Sequence, residues 1–185
     1  AGEIEKGNID VAIHHQANDE TGRLADAFRG ITNSLRTLVT DMNDMASASS
    51  EGRLTVRGDA DKHHGAFGDL IRGVNDIVDR VVQFLDTLPV TTLTFNPDGD
   101  VQYINKAGVA MLGLEDANVI GMNCNACKNL DECETENCGF AKAKETKDVE
   151  TGEMRFENHR GEHLDVAFSD VPLLNEKEEV NGGFE

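Results

Sequence analysis

The sequence predicts a mixed fold, in which an α-helical parallel coiled-coil bundle precedes an α+β domain with a five-stranded antiparallel sheet. The first half of the chain contains an approximate internal repeat. Each copy ends in a segment with apolar residues at every third or fourth position, which indicates a helix with one apolar face. After Pro89 the pattern changes to short segments rich in β-branched residues and bounded by turn residues, which indicates strands.

The repeat gives each half of the helical region a connector followed by a helix. Residues 5–11 correspond to residues 50–56, and residues 28–31 correspond to residues 71–74. Both helices have apolar stripes with coiled-coil spacing, made of Leu24, Phe28, Ile31, Leu35 and Leu38 in the first and of Phe67, Ile71, Val74, Val78 and Val81 in the second. We therefore predict a parallel homodimer through residues 20–86. An ordinary amphipathic bundle is the alternative.

The ends of these helices are also marked in the sequence. Asp19 and Glu20 lie where the first helix should begin, and acidic groups are favourable at that end of the helix dipole. Met42 and Met45 continue the apolar pattern, so this helix is predicted to run on into the second copy. Pro89 ends the second helix, because proline cannot continue one.

The remainder is predicted to form an antiparallel sheet with short helices. Residues 96–99 have the composition of a turn between two strands, and Gly113 suits the left-handed end of a helix. Strands are predicted at residues 90–95, 101–104, 154–156, 163–169 and 180–184, and helices at residues 105–112 and 139–144.

The helical half resembles HAMP domains, which relay signals as parallel four-helix bundles. The resemblance lies in residues 7–9, in the apolar connector residues Ile9 and Ile13, and in the run from Asp19 to Leu24. The second copy resembles a divergent HAMP domain, because residues 52–54 fit but no acidic pair precedes its helix.

The second half resembles PAS domains. The matching motifs lie at residues 95–107, 111–113, 120–121, 160–162 and 170–173. This resemblance implies a sensor domain with a small, mostly apolar cavity. Candidate ligand contacts in that cavity are Phe95, Tyr103, Met111 and Phe168.

Together the resemblances imply a truncated HAMP-like unit at residues 1–40, a divergent one at residues 41–86, and a PAS-like sensor at residues 87–185 with a cysteine-rich insert at residues 124–138. This order resembles the cytoplasmic part of methyl-accepting chemotaxis receptors. We expect a piece of a longer inner-membrane protein, not an enzyme, that passes a conformational signal to an output module or to its downstream kinase and adaptor. A fragment of a sensor histidine kinase, or a ligand-free PAS dimerisation scaffold, is the alternative.

The charge of the chain restricts its partners. Lys and Arg number 17 against 35 Asp and Glu, a formal net charge of −18. Nucleic-acid binding needs clustered basic residues, so it is not expected. An anionic membrane surface would repel the chain, so membrane contact is expected only through other parts of the parent protein.

All four cysteines are close together, at Cys124, Cys127, Cys133 and Cys138. Clustered thiolates suit zinc or an iron–sulfur cluster, and the acidic residues between them favour a bound cation. A thiol–disulfide sensor and ordinary reduced thiols are the alternatives. Haem or flavin is less favoured; for haem, Cys127 is followed by Lys128 where an attachment motif has His.

Histidines occur at matching places in the two connectors, as His14–His15 and His63–His64. We expect exposed loop side chains. A pH-responsive or metal-binding pair is the alternative, because histidine changes its charge near neutral pH.

Overall fold

The structure, a computed structural model, describes residues 2–114, 116–127 and 138–185, without the side chains of residues 116, 117, 125 and 127. The helices in this part of the chain are α1 (Gly2–Glu5), α2 (Glu20–Ser50), a 3-10 turn (Ala60–Lys62), α3 (Ala66–Thr87), α4 (Lys106–Leu112), α5 (Asp116–Val119), α6 (Cys124–Cys127) and α7 (Gly139–Thr146). The strands are β1 (Leu93–Phe95), β2 (Val101–Ile104), β3 (Glu150–Glu157), β4 (His163–Leu174) and β5 (Val180–Phe184). Contacts divide the chain into two compact units, residues 1–45 with 57–75 and residues 46–56 with 76–185.

In the first unit, Asp19 caps the start of α2. Its carboxylate accepts from the Thr21 hydroxyl at 2.7 Å and from the backbone N–H of Gly22 at 3.1 Å. These hydrogen bonds, that of the Thr21 side chain first, lower the pKa of Asp19 below its usual value. The predicted beginning of this helix is therefore confirmed, and so is its continuation into the second copy of the repeat.

Two arginines of α2 hold the first connector. Arg29 donates to the backbone oxygens of Ile13 and His15 at 3.0 and 2.9 Å. One heptad later, Arg36 donates to the backbone oxygen of Ile9 at 2.8 Å. Side-chain donors thus satisfy backbone acceptors of a segment that has no regular secondary structure.

The second connector is held by an amide side chain of α3. Asn75 accepts from the N–H of Gly58 at 3.0 Å and donates to the oxygen of the same residue at 2.9 Å. Gly58 also lies tightly against Ile71 and Met45, where an added Cβ would be 2.9 and 2.7 Å from their side chains. Ile71 is fully buried within the unit, so it faces its own chain and not the exposed side of α3.

The second unit contains the five-stranded antiparallel sheet, with the strand order β2-β1-β5-β4-β3. The sheet predicted from the sequence is confirmed. β2 and β5 have the predicted bounds. β3 is longer than predicted because it pairs with β4 continuously from Glu150↔Asp170 to Glu157↔His163, and β4 is longer because it goes on to pair with β5 from Val171 to Leu174. β1 begins at Leu93 and not at Val90.

One face of the sheet packs against α4 and α7 and forms the core. The rings of Phe95 and Phe140 lie 5.5 Å apart, and a Cβ at Gly183 would collide with Phe140. Glycine is therefore needed in β5 to let α7 approach the sheet. The buried core consists of Leu93, Phe95, Val101, Ile104, Leu112, Val119, Cys124, Phe140 and Phe156.

Among the described residues, none of the helices combines the length and the apolar character that crossing a membrane requires.

Candidate functional site

The second unit contains a cavity of about 630 Å³ beside the end of β5. Residues 88–92 line one side and Val166–Ser169 of β4 line the other, with Ala107 and Met111 of α4 at its base. Met111 and Phe168, two of the four candidate ligand contacts, are therefore among its lining residues. The walls are mostly apolar, as is usual for small-molecule sites.

The other two candidates lie elsewhere in the same unit. Phe95 is 1% exposed and packs in the core against Phe140. Tyr103 is paired with Thr94 on the opposite face of the sheet, and its hydroxyl donates to Asp86 at 3.2 Å. A role for any of the four in ligand binding stays a prediction.

The opposite face of the sheet holds the C-terminal turn of α2. The N–H groups of Gly52 and Arg53 bond back to the oxygens of Ser49 and Ala48 at 3.1 and 2.9 Å, which is a Schellman ending with Gly52 in the left-handed conformation at φ +78°. The hydroxyl of Thr94 on β1 donates to the Gly52 oxygen at 2.7 Å. An added Cβ at Gly52 would lie 2.8 Å from Thr94 Cβ, so only glycine fits this contact without strain.

A second contact reinforces the first. Asn181 of β5 donates to the Ser50 hydroxyl at 3.2 Å. The end of α2 therefore contacts both β5, the central strand of the sheet, and the adjacent strand β1.

Asn105 connects the end of α3 to the start of β1 and α4. Its amide nitrogen donates to the oxygens of Leu85 and Val90 at 3.0 and 2.9 Å. Its amide oxygen accepts from the N–H groups of Thr92 and Gly108 at 3.0 and 2.9 Å. Asn105 is fully buried, and these bonds use both donors and the oxygen of its side chain.

Asp86, the residue after Leu85, also connects α3 to β2 and α4. Besides the Tyr103 hydroxyl, its carboxylate accepts from the backbone N–H of Lys106 at 3.2 Å and lies 3.5 Å from the Lys106 ammonium. One carboxylate thus contacts the end of β2 and the first turn of α4, where a negative charge is favourable.

The turn after α2 has an electrostatic component. Arg53 donates to the Glu51 carboxylate at 2.9 and 2.6 Å, and the Ser47 hydroxyl donates to it at 2.9 Å. The hydrogen bonds from Arg53, and then that from Ser47, lower the pKa of Glu51.

Only two of the four cysteine side chains lie in the described part of the chain. Cys124 is buried in the core, and its N–H donates to the Gly99 oxygen at 2.8 Å. Cys138 is half-buried at the N-cap of α7 and packs against the same core. The side chain of Cys127 and all of Cys133 lie outside the described residues. Within those residues no group of His, Cys, Asp and Glu forms a metal site.

The connector histidines differ from one another. His14, His15 and His64 are exposed as expected. For His63 the expectation is wrong: its side chain is 3% exposed, and its Nε2 lies 2.7 Å from Asp41 Oδ2. A polar neighbourhood in the sequence did not reveal this contact, because Asp41 lies on α2, 22 residues earlier.

Sequence reasoning missed Gly52, Thr94, Asp86 and Asn105 as a group. Each has an ordinary local role, as helix end, strand residue or helix cap. Their common role depends on contacts between distant parts of the chain. The one available signal was Asn105 directly before a short helix, which indicates a cap and nothing more.

Comparison with known proteins agrees with this geometry. The PAS domain family matches residues 89–184. A PAS domain of a protein from Colwellia psychrerythraea has 20% identity and a TM-score of 0.52, over 59% of this chain and 92% of that chain. A PAS domain from a two-component sensor histidine kinase has 14% identity and a TM-score of 0.51, over 60% of this chain and 94% of that chain.

No curated protein sequence matches the chain. The two structural neighbours are too distant in sequence to indicate more than the fold. The family match, however, covers more than half of the 185 residues, in the segment where the sequence resembles PAS domains. The chain therefore belongs to the PAS domain family, whose members are sensory modules of signal transduction.

Proposed function

We propose that the chain is the sensory and relay segment of a transmembrane chemoreceptor. In this proposal the PAS domain changes the positions of α2 and α3 and so passes a conformational signal to an output module outside this sequence. The supporting observation is the contact of both helix ends with the sheet, through Thr94–Gly52 and through Asp86 and Asn105. A rearrangement of the sheet would break or move these hydrogen bonds, and relay by a helix needs such a connection.

The relay is testable in a chimeric receptor that joins this chain to the kinase-control module of a chemoreceptor. Asp86→Asn keeps the shape of the side chain but removes the charge that faces Lys106. We expect it to shift kinase activity severalfold. Asp76→Asn, a change of the same charge at an exposed position of α3, is the control. Equal activity of Asp86→Asn and the unmodified chimera would contradict the relay.

The HAMP-like role of the helices requires two copies of the chain. Four large apolar residues of α3 are exposed: Leu70 (49%), Ile77 (63%), Val81 (46%) and Phe84 (63%). Their spacing of seven, four and three residues is that of a coiled-coil seam, and identical residues face each other in a parallel pair. This seam differs from the stripe predicted from the sequence, because Ile71 faces its own chain.

We propose that a second copy of the chain covers this stripe. An exposed apolar row of this size on a chain of net charge −18 is unusual unless another surface covers it. Ile77→Asp places a charge in the proposed seam and should convert a dimer into a monomer in light-scattering measurements. Gln83→Asp adds the same charge on an exposed position beside the seam and should leave the dimer intact. A wild-type monomer at high micromolar concentration would rule the pairing out.

The cysteines are the proposed sensing element. Cys124 and Cys138 lie on either side of the segment that connects α6 to α7, and both pack against the core. A disulfide or a metal ion bound there would therefore change packing close to the sheet. Metal analysis of anaerobically purified protein, with thiol counts before and after mild oxidation, tests this role. No metal together with four unreactive thiols would contradict it.

A further inference from the structure

Helix α7 begins against two side chains of β4. An added Cβ at Gly139, the first residue of α7, would collide with Oδ2 of Asp170 and with the Phe168 ring. Phe168 and Asp170 are two residues apart on β4, so their side chains lie on the same face of the sheet. Gly139 directly follows Cys138, so the cysteine-rich insert ends where α7 meets these two residues.

Asp170 is an acidic residue in a buried place. It is 2% exposed, and an ionised carboxylate is costly to bury unless positive charge or hydrogen-bond donors lie close to it. The N-terminal end of a helix supplies both, as partial positive charge and as backbone N–H groups that have no acceptor within the helix. Because the Asp170 carboxylate lies at Gly139, its charge is well placed to hold the first turn of α7 to β4.

Further along β4, the strand leads from Asp170 to the contact between the sheet and α2. Three residues after Asp170, Leu173 pairs with Gly182 of β5. The residue before Gly182 is Asn181, which donates to the Ser50 hydroxyl of α2. A displacement of β4 at Asp170 therefore has one strand pairing to cross before it reaches the end of α2.

We propose that Asp170 is the positioning residue through which the cysteine-rich insert acts on the sheet. This inference rests on the sensing role proposed above for the cysteines. A disulfide or a bound metal ion in the insert fixes Cys138, and with it the first turn of α7. The Asp170 carboxylate transmits that change to β4, because its charge holds the first turn against the strand. Asp170→Asn keeps the shape of the side chain and removes the charge, so it should separate the chemistry of the cysteines from the response of the sheet.

The test treats the full chain with diamide, which takes up two hydrogen atoms as two thiols join in a disulfide, or with Zn²⁺ if the thiols bind it. Amide hydrogen exchange at Leu173 and Gly182 is measured before and after treatment, and the thiols are counted in parallel. In the wild type, and in Asp165→Asn as the exposed control on the same strand, exchange should slow at least about threefold. In Asp170→Asn the thiols should react equally, and the exchange rates should not change. Comparing the rates within each protein cancels a general loss of stability.

Gly139→Ala tests the same contact should Asp170→Asn fail to fold. Its methyl group displaces the start of α7 from Asp170 but leaves the carboxylate in the protein, so the response of the sheet should again be lost. Gly152→Ala, whose methyl group meets the Phe168 ring instead, is the control and should keep the response.

A response that survives in Asp170→Asn or in Gly139→Ala would overturn the proposal. Its loss in Gly152→Ala would do the same, because the transmission would then belong to Phe168. Thiols that react in the wild type without any change in exchange would also overturn it, but would not contradict the chemistry proposed for the cysteines. Thiols that neither react with diamide nor bind Zn²⁺ would contradict the sensing role itself, and this inference with it. Loss of the response in Asp170→Asn and Gly139→Ala alone would establish the role of Asp170.

Discussion

The PAS domain and helix α3 place their apolar side chains in opposite surroundings. In the PAS domain Leu93, Phe95 and Leu112 are at most 1% exposed, within a core made by one chain. On α3, Ile77 and Phe84 are each 63% exposed. The same kind of residue therefore stabilises the fold in one region and is available for binding in the other. The difference shows that the PAS core is closed within one chain, whereas this face of α3 is left exposed by it.

The strongest test of this contrast uses two phenylalanines. Phe95→Ala should destabilise the PAS domain by about 3–5 kcal/mol, because it leaves a cavity beside Phe140. Phe84→Ala should change the stability of a single chain by less than about 0.5 kcal/mol, since surface substitutions have little effect. Denaturant unfolding at low protein concentration measures both. Similar losses for the two variants would mean that Phe84 is buried within one chain in solution.

The sequence was sufficient where one stretch of chain determines the structure by itself. The turn at residues 96–99, the left-handed Gly113 and the bounds of β2 and β5 all follow from local rules, and all agree with the structure. The lengths of β3 and β4 did not follow, because pairing with β4 extends β3 back to Glu150 and pairing with β5 extends β4 on to Leu174.

The candidate site was less predictable for a physical reason. Gly52 and Thr94 are 42 residues apart in the sequence, and Asn105 and Leu85 are 20 residues apart. No periodic pattern connects such positions. The burial of α3 was not predictable for a related reason: Ile71 and Leu70 fit helical spacing equally well, and the contacts of Ile71 with its own chain at Gly58 determine which one is buried.

The histidines of the second connector allow a sharper comparison within one dipeptide. His63→Ala should cost about 2 kcal/mol, because it removes a buried hydrogen bond to a carboxylate and leaves Asp41 without it. His64→Ala, at the exposed neighbour, should have no measurable effect. Thermal unfolding monitored by circular dichroism compares the two. Equal stability of both variants would show that the His63–Asp41 contact is absent in solution.

A smaller effect is expected at the contact between the sheet and the end of α2. Thr94→Val keeps the shape of a 3% exposed side chain but removes the donor to the Gly52 oxygen. The expected loss is about 1 kcal/mol, typical of one hydrogen bond. Thr151→Val, on the exposed side of β3, is the matched control. Faster amide exchange at Gly52 and Arg53 in Thr94→Val alone would show that the stability is lost at this turn. Unchanged exchange there would contradict a role for the Thr94–Gly52 hydrogen bond in the relay.

The smallest effect depends on pH and concerns the same turn. The pKa of Glu51 is lowered by its hydrogen bonds from Arg53 and Ser47, so the folded state favours the charged carboxylate. Its contribution is therefore fully present above the unfolded pKa, the ordinary value of a glutamate carboxyl, and it is lost as the pH falls through the lowered folded value. For a partly exposed ion pair this contribution is below about 1 kcal/mol.

Glu51→Gln should be less stable than wild type at pH 7, and the difference should disappear as the pH approaches the pKa of Glu51 in the folded state. Glu176→Gln, on the exposed loop before β5, is the control. A stability difference for Glu51→Gln that stays constant from pH 7 to pH 3 would mean that shape, and not charge, holds the turn.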